Sequence, residues 1–167
     1  MKNKKYILWD HDGILVVTEP LYYKANRTAL SEIGISMSLE KYMEFMQSGK
    51  SVWNLASKKN ISDEIIRIQR DKRNQYYQNY LATENIEIPG VVKVLTELKS
   101  RYRMAIITTS RRKDFELIHK NRNILNFMDF YLTLEDYQKA KPEPEPYLKG
   151  MEIFNNSDPK GPSIIKY

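Results

Sequence analysis

The stretch Tyr6-Ile7-Leu8-Trp9-Asp10-His11-Asp12-Gly13-Ile14-Leu15 constrains the fold of this chain more than any other. A short apolar run stops at two carboxylates one residue apart, and a glycine follows. Apolar runs of this length read as a buried strand. Open α/β sheets place their ligand sites outside the carboxyl ends of their strands. Alternate residues of an extended chain point the same way, so Asp10 and Asp12 can face one site. Gly13 permits a sharp turn and close approach to a ligand. The same Asp-x-Asp-Gly pattern occurs in calcium loops, but Leu21 stands where such a loop needs its last carboxylate.

Beyond this strand the pattern becomes helical. Leu21, Ala25, Ala29 and Ile33 fall four apart after Pro20 and end at Gly34. Leu39 to Met46 forms a second helix, broken by Ser48-Gly49-Lys50-Ser51, and Val52 to Lys58 a short third. Ser62 caps a long helix to about Ala82, with Ile65, Ile68, Lys72, Tyr76 and Tyr80 along one face. Pro89-Gly90 then marks a return to alternating elements. Val91 to Ser100 is a helix facing inward through Val91, Val94, Leu95 and Leu98. A strand at Met104–Ile107, a helix at Lys113–Lys120, a strand at Phe130–Thr133, a helix at Pro146–Phe154 and a strand at Ser163–Tyr167 follow.

Strands separated by helices imply parallel βαβ units. The expected fold is α/β: a doubly wound parallel-sheet core from residues 1–14 and 86–167, with an α-helical insertion, 15–85, as a cap over the carboxyl ends of the strands.

Composition narrows the function classes. The chain of 167 residues has 41% apolar content, enough for a buried core, and no cysteine, which excludes disulfides and thiolate metal sites. The natural expectation is the cytoplasm. No apolar stretch is long enough to span a membrane, and the basic N-terminus precedes a run too short for a signal peptide. The charge of +6 is spread along the sequence, apart from Arg111-Arg112-Lys113, and reads as a solvated basic surface rather than a nucleic-acid stripe. Tyr22-Tyr23 and Tyr76-Tyr77 sit at helical spacing and are expected to pack a seam between helices.

Three segments resemble, in order, the motifs of the haloacid dehalogenase superfamily, in the helical-capped subfamily that includes phosphoglycolate phosphatase and β-phosphoglucomutase. The first is Asp10-His11-Asp12-Gly13. The second is the strand ending in Thr108-Thr109-Ser110, which alone would read as a strand end or helix cap. The third is Lys141-Pro142-Glu143-Pro144, which alone would read as a solvated loop.

The resemblance implies specific roles. Asp10 is the nucleophile that attacks phosphorus, and Asp12 protonates the leaving oxygen and then activates water. Thr108, with Gly13, Thr109 and Ser110, holds the phosphoryl group. Lys141 neutralises charge, and Mg2+ is held by the Asp10 carboxylate and the Asp12 backbone carbonyl. Gly49-Lys50-Ser51 resembles the substrate-specificity loop of the cap. Lys50 there either contacts an anionic substrate or is a solvated lysine.

Departures from the pattern matter. The strand Ser163–Tyr167 resembles the one before the family's fourth, acidic motif, and the sequence stops where that acidic pair would begin. The resemblance therefore implies a shortened member with a weakened metal site and an open sheet edge. Glu135 and Asp136 read as solvated turn residues, with partial replacement of the lost acids as the other reading. His11 is expected to pack away from the Asp pair, and His119 to be exposed. Mutases carry a histidine near the position of Tyr22, which disfavours mutase chemistry, and the second Asp disfavours dehalogenation.

The implied activity is hydrolysis of a small phosphate monoester, a phosphorylated metabolite, through an aspartyl-phosphate on Asp10. The rival is an impaired homologue that self-associates as a homo-oligomer through the edge strand.

Overall fold

Lys5–Trp9 forms the first strand, β1, of a sheet completed by β2 (Tyr102–Ile107), β3 (Phe130–Leu132) and β4 (Ile164–Ile165). This computed structural model describes residues 5–157 and 164–165, so the rest of the strand expected over 163–167 lies outside the described residues. The strand order is β3-β2-β1-β4, and every pair is parallel. Parallel strands are covered on both faces and carry continuous apolar runs. In β2, Met104, Ala105, Ile106 and Ile107 are accordingly all sealed from solvent.

The fold is thus α/β with a parallel sheet, and the chain forms two compact units. One unit, Met1–Val17 with Ile86–Tyr167, holds the sheet and helices α5 (Val91–Lys99), α6 (Arg112–His119) and α7 (Glu145–Ser157). On α7, Phe154 stacks on Tyr6 of β1, with ring centroids 4.2 Å apart and planes 8° apart. A Cβ on Gly150 would come within 3.0 Å of Ile107 Cδ1 and 3.2 Å of Leu8, so glycine lets α7 lie close against the sheet. On α5 the expected inward face narrows. Leu95 is buried but Val94 is 47% exposed, because a helix turns about 100° per residue and only Leu95 points straight at the core.

The other unit, Thr18–Asn85, holds α1 (Glu19–Ser31), α2 (Leu39–Gln47), α3 (Asn54–Lys58) and α4 (Asp63–Thr83). Pro20 sits in the first turn of α1, where its missing N–H costs nothing. Ser38 and Ser62 cap α2 and α4 by accepting the Lys41 and Ile65 N–H groups. Leu30, Tyr42, Trp53 and Ala56 form its apolar centre. Tyr22 meets Tyr77 edge-on at 5.2 Å along the α1–α4 seam, the packing role expected of these tyrosines.

The buried face of α4 is displaced from the expected one. Its period is helical, but the inward line runs Ile66, Gln69, Arg73, Tyr77, Leu81, while Ile65 and Ile68 are each 44% exposed. The reason is a buried polar hub. Asn26 Oδ1 accepts from Trp53 Nε1 at 3.2 Å and from Arg73 Nη1 at 3.3 Å, its Nδ2 donates to Tyr22 O, and Arg73 also donates to the Tyr22 hydroxyl. Buried polar groups persist when hydrogen-bonded. Among the described residues, no helix is long and apolar enough to cross a membrane.

Candidate active site

The site grows from the end of β1. Asp10 follows Trp9 directly, and the chain then folds under itself. The His11 carbonyl accepts N–H groups from Ile14, Leu15 and Val16 at 3.3, 2.9 and 3.3 Å, and Gly13 N donates to Val16 O at 2.7 Å. Gly13 adopts φ of +77° with open space where a Cβ would stand, so the backbone angle rather than crowding calls for glycine. Asp10 Oδ1 accepts from His11 N at 2.8 Å and from Lys141 Nζ at 2.5 Å. The Asp10 side chain remains 48% exposed and open to a ligand.

The end of β2 supplies hydroxyls. Ser110 Oγ donates to Asp12 Oδ2 at 3.1 Å. Thr108 Oγ1 donates to Ser110 Oγ at 3.0 Å and accepts from Ser110 N at 3.1 Å. Thr108 is buried, so it reaches the surface through Ser110, while Thr109 is exposed. The Tyr137 hydroxyl donates to Thr108 O at 2.6 Å and fixes this strand end. Burial, with the charges of Asp136, Glu135 and Asp10, pushes the Tyr137 phenol up to about 12, which keeps it a donor. Nothing in the local sequence around Tyr137 signals this support.

The third segment carries Lys141 between Asp10 and the Ile107 carbonyl, 3.2 Å away. Glu145, in the first turn of α7, accepts Gln138 N at 2.7 Å and Lys139 N at 2.8 Å, pinning the loop that delivers Lys141. Those two N–H groups hold the Glu145 carboxyl below its ordinary value. Thus Asp10, Asp12, Gly13, Thr108, Thr109, Ser110 and Lys141 converge at the β1 and β2 ends. Gly49 and Lys50 belong to the helical unit, in the turn after α2, where Gly49 has φ of +65° and Lys50 is exposed.

Two histidine expectations change. His119 is 5% exposed rather than solvated, because α6 turns its last residue inward against His11 and Phe115. His11 does pack, at 0% exposed, yet its Nδ1 lies 3.6 Å from Asp12 Oδ2, so the ring does not point away from the Asp pair. Glu135 is exposed, as expected of a solvated turn residue, and Asp136 is half-buried; both carboxylates are engaged by neighbouring groups. Glu135 accepts Arg112 N, and Asp136 takes Arg112 Nη2 at 2.7 Å and caps Thr133 through its N–H and hydroxyl. Burial pushes the Asp136 carboxyl up, but Thr133 and Arg112 outweigh it and hold the group below its ordinary value.

The donor chemistry tests the expected Mg2+. Among the described residues, no group of three or more His, Cys, Asp or Glu could enclose a metal. What stands at the β1 end is hard oxygen: the half-exposed Asp10 carboxylate and the backbone of Asp12. Mg2+ keeps several waters and binds through one or two carboxylates plus substrate phosphate. The residues present fit such a partly hydrated ion.

A sequence profile described as haloacid dehalogenase-like hydrolase matches residues 7–160. Pyrophosphatase PpaX of Bacillus mycoides (strain KBAB4) is 27% identical over 153 residues, spanning 89% of this chain and 68% of the relative. The crystal structure of CbbY from Rhodobacter sphaeroides in complex with phosphate superposes with a TM-score of 0.71 at 19% identity, covering 91% of this chain and 73% of that one. YfnB from Bacillus subtilis, bound to magnesium, superposes with a TM-score of 0.66 at 14% identity, covering 90% and 74%. At these identities the structural likeness carries the fold.

Proposed function

The chain belongs to the haloacid dehalogenase-like hydrolase family, and from that membership we propose that it hydrolyses a small phosphate monoester through an aspartyl-phosphate on Asp10. The observation that carries this reading is the convergence of Lys141 on Asp10 at 2.5 Å and of Ser110 on Asp12 at 3.1 Å, at the carboxyl ends of adjacent parallel strands.

Asp10 attacks phosphorus in line, and the bond to the leaving oxygen breaks with its electron pair going to that oxygen. Asp12 supplies the proton the leaving group needs. Asp12, now ionised, takes a proton from a water that attacks the acyl phosphate, which frees phosphate and restores Asp10. Lys141 orients Asp10 and offsets the negative charge that gathers in the transition state. Ser110, Thr109 and the Thr108 hydroxyl behind Ser110 hold the phosphoryl oxygens, and Gly13 lets the backbone approach them. The Asp10 carboxylate and the Asp12 carbonyl would hold Mg2+, which would supply charge neutralisation and alignment of the phosphate.

The helical unit serves as the cap, and its Gly49-Lys50 turn selects an anionic substrate. PpaX, the Bacillus mycoides relative, is named a pyrophosphatase, which adds pyrophosphate to the substrates to test beside phosphate monoesters.

The test is phosphate release from p-nitrophenyl phosphate and pyrophosphate, with and without Mg2+, beside Asp10→Asn. Turnover that needs both Mg2+ and Asp10 supports the reading. Absence of turnover in a folded wild-type sample overturns it in favour of the impaired homologue.

A further inference from the structure

One buried tyrosine lies outside the three motifs and takes no part in the chemistry above. Tyr137 stands five residues past the end of β3, and its hydroxyl donates to Thr108 O at 2.6 Å. A carbonyl oxygen can only accept, so the two groups themselves fix the direction of this bond.

The contact replaces a rung of the sheet. In a parallel pair, a residue donates to one residue of the neighbouring strand and accepts from the residue two places further along it. Thr108 N donates to Leu132 O at 2.9 Å, so the N–H due to Thr108 O is that of Leu134. Leu134 N donates instead to Ser110 O at 3.0 Å. The Tyr137 hydroxyl takes its place, and a carbonyl that the ladder no longer serves is satisfied.

The other end of the same peptide group bears on the site. The Thr108–Thr109 peptide is trans and planar, so the Thr109 N–H points away from the Thr108 carbonyl. Tyr137 holds that carbonyl on the β3 side, which turns the N–H to the β1 side. The Ile107 carbonyl, one peptide earlier, opens on the β1 side as well. There Lys141 Nζ lies 3.2 Å from it and 2.5 Å from Asp10 Oδ1. Thr109 is exposed, and among the described residues its N–H donates to no protein acceptor. A fixed, unengaged N–H on the nucleophile's side suits an oxygen that gathers negative charge.

We propose that Tyr137 is a positioning residue for the phosphoryl group: by gripping Thr108 O it presents the Thr109 N–H to one of the phosphoryl oxygens. The inference rests on the reading of Asp10 as the nucleophile. Without the hydroxyl, the Thr108–Thr109 peptide group keeps no hydrogen bond to the described protein, and nothing sets its tilt. A donor aligned before the reaction then has to be aligned during it, which slows the chemical step.

The first test needs no turnover. Inorganic phosphate is titrated, with Mg2+ present, into the full nitrogen-15-labelled chain and into its Tyr137→Phe variant, and the backbone amides are followed. Phe keeps the buried ring, and the same spectra report whether the variant is folded. The expected result is a downfield move of the Thr109 amide proton in the wild type and a smaller one in Tyr137→Phe, which binds phosphate about threefold more weakly. A Thr109 amide that phosphate leaves in place, or that moves equally in both proteins, overturns the proposal.

The second test is kinetic. Tyr137→Phe should lower kcat on p-nitrophenyl phosphate about tenfold under conditions where the variant is fully folded. A merely structural tyrosine would lower the urea midpoint and leave kcat unchanged, and that result overturns the proposal. If the wild type shows no turnover, the phosphatase reading falls, and the amide titration alone decides whether Tyr137 sets the Thr109 N–H for phosphate.

Discussion

Lys141 Nζ stands 2.5 Å from Asp10 Oδ1, joining residues 131 positions apart, and the same Nζ lies 3.2 Å from the Ile107 carbonyl at the end of β2. One ammonium therefore ties the ends of two neighbouring strands to the proposed nucleophile. Lys141→Met keeps the length of the side chain and removes the charge. Turnover should fall about a hundredfold, since donors aimed at developing charge carry effects of that size. Stability should change by less than about 1 kcal/mol, because an ion pair with a half-exposed partner contributes little. Steady-state phosphate release and urea unfolding separate the two effects. A large loss of stability with unchanged turnover would mean that Lys141 is structural.

Glu145 acts one step further back. Its carboxylate clamps the Gln138 and Lys139 N–H groups of the loop that delivers Lys141. Glu145→Ala should lower kcat by about tenfold through misplacement of Lys141. Combined with Lys141→Met, it should have no further effect, because both changes remove the same contact. Full additivity in this double-mutant cycle would separate Glu145 from Lys141.

The buried histidine pair makes stability depend on pH. The His119 pKa is about 3 in the folded chain against 6.5 for an ordinary histidine, with burial as the main cause. Between those values the unfolded chain binds a proton that the folded chain does not. Stability is therefore intact above pH 6.5 and falls as pH drops towards about 3, by up to ~1.4 kcal/mol per pH unit from this group. His119→Gln lacks the titration. Urea midpoints of the two proteins, compared from about pH 7 to about pH 4, should show the wild type losing stability faster on acidification. A constant gap across that range would contradict the burial of a neutral His119.

In the helical unit, Asn26 is the shared partner of Trp53 Nε1 and Arg73 Nη1. Asn26→Leu preserves volume but strips one buried donor and one buried cation of an acceptor. The expected cost is about 3 kcal/mol by urea unfolding, since unsatisfied buried groups bear their full desolvation penalty. A cost under about 1 kcal/mol would show that water reaches the hub.

The sheet and the order of its elements were legible because their signals are local. The Tyr6–Trp9 and Met104–Ile107 runs are apolar and short, and Pro20, Ser38, Ser62 and Gly90 stand at or near helix starts. The inward face of α4 was not legible. Gln69 and Arg73 look like surface residues until Asn26 and Tyr22, from another helix, satisfy them. His119 misled for the same reason: charged neighbours in α6 suggest exposure, while the partner that buries it sits 108 residues earlier.

The sequence by itself determined that an apolar strand ends in Asp10 and Asp12, that parallel βαβ units follow, and that hydroxyls and a lysine lie at the ends of later segments. Periodicity and turn chemistry operate over a few residues, so they can be read along the chain. Only the tertiary structure decided which partners meet: Lys141 with Asp10, Ser110 with Asp12, Tyr137 with Thr108, and His119 with His11. A hydrogen bond depends on distances of about 3 Å, and distances that small between remote residues are set by how the strands and helices pack.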